Sequence, residues 1–155
     1  MCASTMQTFH FARIQLLANK PHLSTGLPYT APPSPSRDSS QRVAATSLAQ
    51  RHASYATILH QSKKHAEDIV SISLALSNDS ARIHSVQPLY TAGQVLGNGE
   101  DGGSWEEGTG AKGVEHVRVC ILNLLQGIQR ETGWATEYRM RHLLEQWGLP
   151  AEERS

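Results

Sequence analysis

The chain has 155 residues and a mass of 17.0 kDa, enough for one small domain and too little for two. Lys+Arg and Asp+Glu both number 14, a zero net charge that argues against a free-standing nucleic-acid binder, which needs a surplus of cations for its phosphate contacts. Two cysteines, Cys2 and Cys120, exclude a disulfide framework and a four-thiolate zinc site, and the absence of an 18-residue apolar run excludes a membrane span.

The first segment carries no acidic residue before Asp38. Met6, Phe9, Arg13, Leu16 and Leu17 recur at helical spacing and predict a short helix ending before Pro21. Arg13 and Lys20 also give this segment the basic, Ser/Thr-bearing character of a mitochondrial transit peptide, the alternative reading of the N-terminus. Pro21, Pro28, Pro32, Pro33 and Pro35 follow closely, and each removes a backbone donor and fixes φ. The Pro/Ser-rich stretch near 24–41 is therefore expected to be a flexible insert.

From Gln41 to Ser77 there is neither proline nor glycine. Leu48, His52, Tyr55, Leu59, Ser62, Ala66, Ile69, Ser73 and Leu76 follow one stripe, predicting a long helix with a break near Ser62-Lys63-Lys64. Ser77-Asn78-Asp79-Ser80 supplies turn chemistry. Pro88 to Leu96 suits a helix with proline in its first turn and Gly97 just past its end, and the small Ala92-Gly93 pair lets another helix approach. Glycines and acids from Gly97 to Gly113 predict a second flexible insert near 97–113, with Trp105 as its one candidate anchor.

Val114 to Arg130 is the clearest amphipathic segment, with Val117, Ile121, Leu124, Leu125 and Ile128 inside and Glu115, Arg118, Asn123, Gln126 and Arg130 outside. Thr132 is the expected N-cap of a last helix from Gly133 to Trp147, stopped by Gly148-Leu149-Pro150. Together these elements give an all-α fold, an irregular bundle of about five helices with two flexible inserts. The expected core is Leu16, Leu17, Tyr55, Leu59, Ile69, Leu76, Leu89, Val117, Leu124, Ile128 and Trp147. That is a small core for this length, so marginal stability and an exposed apolar face are expected.

No reacting constellation emerges. His52 and His60 are eight apart, His60 and His65 five apart, and neither a Cys-x-x-Cys nor a His-Glu-x-x-His motif exists, so no metal site is expected. Cys120 reads as an inert thiol beside Ile121. The glycine run from Gly97 to Gly103 lacks the Gly-Lys-Ser/Thr ending of a phosphate loop and the carboxylate spacing of a calcium loop. Arg130, Arg139, Arg141 and His142 interleave with Glu131, Glu137 and Glu145, a pattern of helix-surface ion pairs. Catalytic residues, metal ligands and cofactors are thus expected to be none, no cofactor-binding residue is assigned, and the chain is read as no enzyme.

The order of these features resembles the regulatory, or middle homology, region of fungal zinc binuclear cluster transcription factors. Thr8 to Leu23 is similar to the family's helix ending in an Arg-Pro stop, with Asn19-Lys20-Pro21 in place of His-Arg-Pro. Lys64 to Ile69 is similar to its Ala-any-any-Ile helix, Gln87 to Leu96 to its helix with an early proline and a central Ala-Gly pair, and Val119 to Trp147 to its closing helix pair, in which a tryptophan such as Trp134 follows the first helix. The resemblance covers residues 8 to 147. It implies that 1–155 is a single partial regulatory domain, the later part of that region, a fragment without the six-cysteine cluster. It further implies a nuclear location and protein partners in the rest of a transcription factor and in the transcriptional machinery. Direct nucleic-acid binding and membrane association are not expected, and the resemblance leaves room for a small-molecule effector.

Overall fold

The structure is a computed structural model describing residues 2–19, 37–76, 82–97 and 110–149, with side chains described for 2–19, 51–76, 82–97 and 113–149. Among the described residues it holds five bounded helices: α1 (Ala3–Ala18), α2 (Arg37–Ala75), α3 (Val86–Leu96), α4 (Gly110–Thr132) and α5 (Glu137–Gln146). No strand occurs among the described residues, and no described helix is long and apolar enough to cross a membrane. α2 begins at Arg37 and α4 at Gly110, each inside the bounds expected for an insert; residues 24–36 and 98–109, Trp105 included, lie outside the described residues.

α3 is the hub, touching the other four helices. Its first turn tolerates Pro88 because the N–H that proline lacks would have had no intrahelical acceptor there; the first ladder bond is Leu89 N–H to Ser85 O, 2.8 Å. Leu89 and Ala92 are fully buried, with Ile69 and Ala66 of α2, Ile121, Leu125 and Ile128 of α4, and Leu143 of α5 around them. Each large side chain in that set contributes about 1.5–3 kcal/mol by leaving water. The Ala92-Gly93 pair does admit a neighbour. A Cβ on Gly93 would lie 2.9 Å from Leu143 Cδ1 and 3.4 Å from Trp147 Cζ2, so α5 closes on this face at side-chain contact.

α2 is continuous through Ser62-Lys63-Lys64, where a break was expected; nothing there removes a ladder donor, and Ser62 and Ala66 are buried along one stripe. The stripe is internal only in its C-terminal half. Every described residue from 51 to 57 is exposed, Tyr55 by 60%, contrary to its expected core place. The reason is length. At about 1.5 Å per residue the 16 residues of α1 reach ~24 Å against ~59 Å for the 39 residues of α2. The two run antiparallel, Gln7 meeting Ser73 and His10 meeting His65, so the N-terminal part of α2 overshoots its neighbour.

α1 shows the other departure. Its buried stripe is Gln7, His10 and Ile14, while Phe9 and Leu16 are exposed and Leu17 is half-buried. The helix is turned so that two polar residues face inward, because polar partners wait for them. Gln7 is 1% exposed, donates from Nε2 to Ser73 Oγ at 2.7 Å and accepts from Ser85 Oγ at 2.7 Å. Ser73 Oγ–H passes the chain on to Ile69 O at 2.8 Å. A satisfied buried network of this kind costs little, whereas each orphaned member would cost about 1–3 kcal/mol. Ser85, at the N-cap of α3, gives its hydroxyl to Gln7 instead of capping its own helix.

α4 behaves as its pattern foretells, with Ile121, Leu122, Leu125 and Ile128 buried and Val117 and Leu124 packed against them. Arg118 departs. It turns inward, and its guanidinium binds Gly97 O through Nε at 3.0 Å and Nη2 at 2.5 Å while lying 5.5 Å from the Trp147 ring centroid. The last helix starts at Glu137, four residues later than expected. Thr132 ends α4, its hydroxyl donating to Ile128 O and accepting from Trp134 N–H, and Gly133 leaves the helix at φ +71°. Thr136 is fully buried, with its hydroxyl 2.9 Å from Leu125 O and 3.0 Å from Gln129 Oε1. α5 ends in a Schellman motif. Leu149 N–H reaches Leu144 O at 2.9 Å, Gly148 N–H reaches Glu145 O at 3.1 Å, and Gly148 takes φ +69°. Tyr138 is exposed, and Met140 is buried in that helix.

Candidate functional site

The antiparallel contact of α1 with α2 brings together three potential ligand groups. His10 sits on the buried stripe of α1; His65 and Asp68 stand three apart on α2 and so share a face. His10 Nδ1 is 3.0 Å from His65 Nδ1 and 3.4 Å from Asp68 Oδ2, and the donor atoms of all three lie within 4.8 Å of one another. Phe9 walls one side, its ring edge-on to His10 at 5.2 Å and to His65 at 6.3 Å between centroids. His10 is buried, His65 half-buried, and the Asp68 side chain is 46% exposed, so the group opens to solvent on the carboxylate side. The His65 imidazole is held below the usual histidine range, first by partial burial and then by its neighbour His10.

Of the histidines weighed in the sequence, His52 and His60 are exposed and stand apart from this group, whereas His65 belongs to it. The spacing of His65 and Asp68 is visible in the sequence. Their meeting with His10 depends on the register of two helices separated by a proline-rich stretch, and no local pattern encodes that.

The second face of interest is the α3–α5 contact. Tyr90 Oη lies 2.6 Å from His142 Nδ1, and the Arg139 guanidinium sits 5.2 Å from the Tyr90 ring and 5.0 Å from the Tyr138 ring. Arg139 also bonds Gln87, and Arg141 pairs with Glu137 at 3.2 Å. The basic C-terminal residues therefore hold helices and aromatic rings. Cys120 is half-buried with its thiol pushed up by burial, in keeping with an inert side chain. Cys2 is exposed, and a hydrogen bond with Ser4 Oγ at 3.1 Å lowers its thiol. Phe9, Leu16, Tyr55, Leu74, Val119, Trp134 and Tyr138 are large apolar or aromatic side chains left at the surface.

The described helices leave these apolar side chains outside and hold polar networks such as Gln7–Ser73–Ser85 inside. The chain is similar to part of a fungal protein, "Transcription activator AMTR1" of Alternaria alternata, with 36% identity over 149 residues. Those residues are 95% of this chain and 15% of that protein. No family model matches the chain, and no solved structure matches it. The kinship supports a transcription-factor region and gives the transit-peptide alternative no support.

Proposed function

We propose that this chain is a regulatory and interaction region of a fungal transcription factor, the later part of the middle homology region, acting in the nucleus and without catalytic chemistry of its own. The observation that carries it is the kinship to a transcription activator along nearly the whole chain. Two features are consistent with the reading. The zero net charge disfavours duplex binding by this segment, and large apolar side chains such as Leu16, Leu74 and Trp134 stand exposed, where protein partners could cover them. Its partners on this reading are the rest of a transcription factor and the transcriptional machinery, and a small-molecule effector would act by shifting the helix packing that presents this surface.

The test is a reporter assay in a fungal host, with the chain fused to a heterologous DNA-binding domain. Reporter output should change on fusion, and Leu16→Glu or Leu74→Glu should diminish that change while leaving helicity intact. An unaltered reporter, or tight sequence-selective DNA binding by the isolated chain in a mobility-shift assay, would overturn the reading.

A further inference from the structure

We propose that His10, His65 and Asp68 form a zinc-binding site that clamps α1 to α2. The argument rests on geometry and ligand chemistry. Zinc bonds of about 2.0–2.1 Å to imidazole nitrogen and 2.0–2.2 Å to carboxylate oxygen place tetrahedral ligand atoms ~3.4 Å apart. The His10 Nδ1–His65 Nδ1 and His10 Nδ1–Asp68 Oδ2 separations are 3.0 and 3.4 Å, and no pair of donor atoms in the group exceeds 4.8 Å. A ligand pair three apart on one helix, completed by a ligand from a facing helix, is an arrangement that helical proteins use to hold metals.

Two imidazole nitrogens facing each other can share either a proton or a divalent ion. A hydrogen bond across that 3.0 Å gap needs one ring to present N–H and the other a lone pair. A divalent ion accepts both lone pairs and the carboxylate charge together. Two nitrogens and one oxygen select a borderline ion such as zinc over magnesium or calcium, which demand oxygen cages. Phe9 shields one side of the group, and the half-exposed Asp68 leaves the other open for entry and for a water as fourth ligand. An ion shared between α1 and α2 would add to the Gln7–Ser73 hydrogen bond that already holds the two helices together.

The experiment uses the full 155-residue chain after chelator treatment, titrated with zinc by calorimetry and followed by thermal unfolding. One zinc per chain should bind and raise the unfolding midpoint, magnesium should not, and cobalt should give the visible absorption of a tetrahedral site. His65→Gln and Asp68→Asn sit at the accessible side and test the site without opening the core. Each should weaken zinc by at least the roughly 10–100-fold that loss of a mere supporting group costs. His60→Gln, on the same helix but outside the group, should bind as the parent does. The proposal falls if zinc binds no more tightly than magnesium, if His65→Gln retains parental affinity, or if His60→Gln and His65→Gln weaken binding equally.

Discussion

Replacing Gly97 with alanine sets two opposing effects against each other at one atom. Gly97 caps α3 at φ −78° and ψ −19°, a backbone that any residue adopts. Helix propensity alone favours alanine over glycine by up to about 1 kcal/mol. A Cβ there, however, would overlap Nε1, Cε2 and Cδ1 of the Trp147 indole, a ring only 7% exposed. The ring is also tethered, donating from Nε1 to Gly93 O at 3.1 Å beneath the Arg118 guanidinium. Overpacking of this kind costs ~1–3 kcal/mol, and losing the indole hydrogen bond adds ~1 kcal/mol. Complete ejection of the ring would set a ceiling of about 3–5 kcal/mol.

Sterics should therefore outweigh propensity, for a net loss of roughly 2–3 kcal/mol, or a fall in melting temperature on the order of 5–10 °C at this chain length. Urea unfolding of the 155-residue chain measures it. With Trp105 and Trp134 replaced by phenylalanine, Trp147 is the sole emitter, and its native emission should shift to the red in Gly97→Ala. Combining Gly97→Ala with Trp147→Phe should shrink the penalty, as expected for neighbours in contact. Gly93→Ala should cost less, because its Cβ meets the flexible ends of Leu143 at 2.9 and 3.0 Å. A Gly97→Ala protein as stable as the parent or more so, with unshifted emission, would refute the reasoning.

Gln7→Leu should destabilise the chain by about 1–3 kcal/mol in urea unfolding, since Ser85 loses its buried acceptor; adding Ser85→Ala should recover part of the loss. Thr136→Val should lower stability by ~1–2 kcal/mol because the hydroxyl that ties the α4–α5 connection to Leu125 O disappears, whereas Thr136→Ser should stay near the parent. Mildly alkaline alkylation read by peptide mass spectrometry should label Cys2 well before Cys120, as one thiol is lowered by its bond to Ser4 and the other raised by burial. The ratio of the two rates should narrow as pH rises and both thiols ionise; equal rates at every pH would contradict the two environments.

The helices were legible because their signals are local. The stripe of Ile121, Leu125 and Ile128, the early Pro88 and the Gly148-Leu149 stop each act within a few residues, and the structure places α3, α4 and the end of α5 accordingly. The apolar stripe of α2 located Ala66 and Ile69 correctly but could not say where its neighbours end, and so misplaced Tyr55. Thr132 was the expected cap by type, yet it ends α4, and Thr136, whose hydroxyl goes to the buried carbonyl of Leu125, stands before the last helix.

What the sequence by itself determined is the class and the span of most elements, through periodicity, proline and glycine, whose effects reach no further than a turn or two. Which face of α1 turns inward was decided only in three dimensions. The edge with Phe9 and Leu16 stays outside, because Gln7 and His10 find Ser73, Ser85, His65 and Asp68 across the interface. A polar side chain is worth burying only when a specific partner stands opposite, and that partner lies on another helix, many residues away.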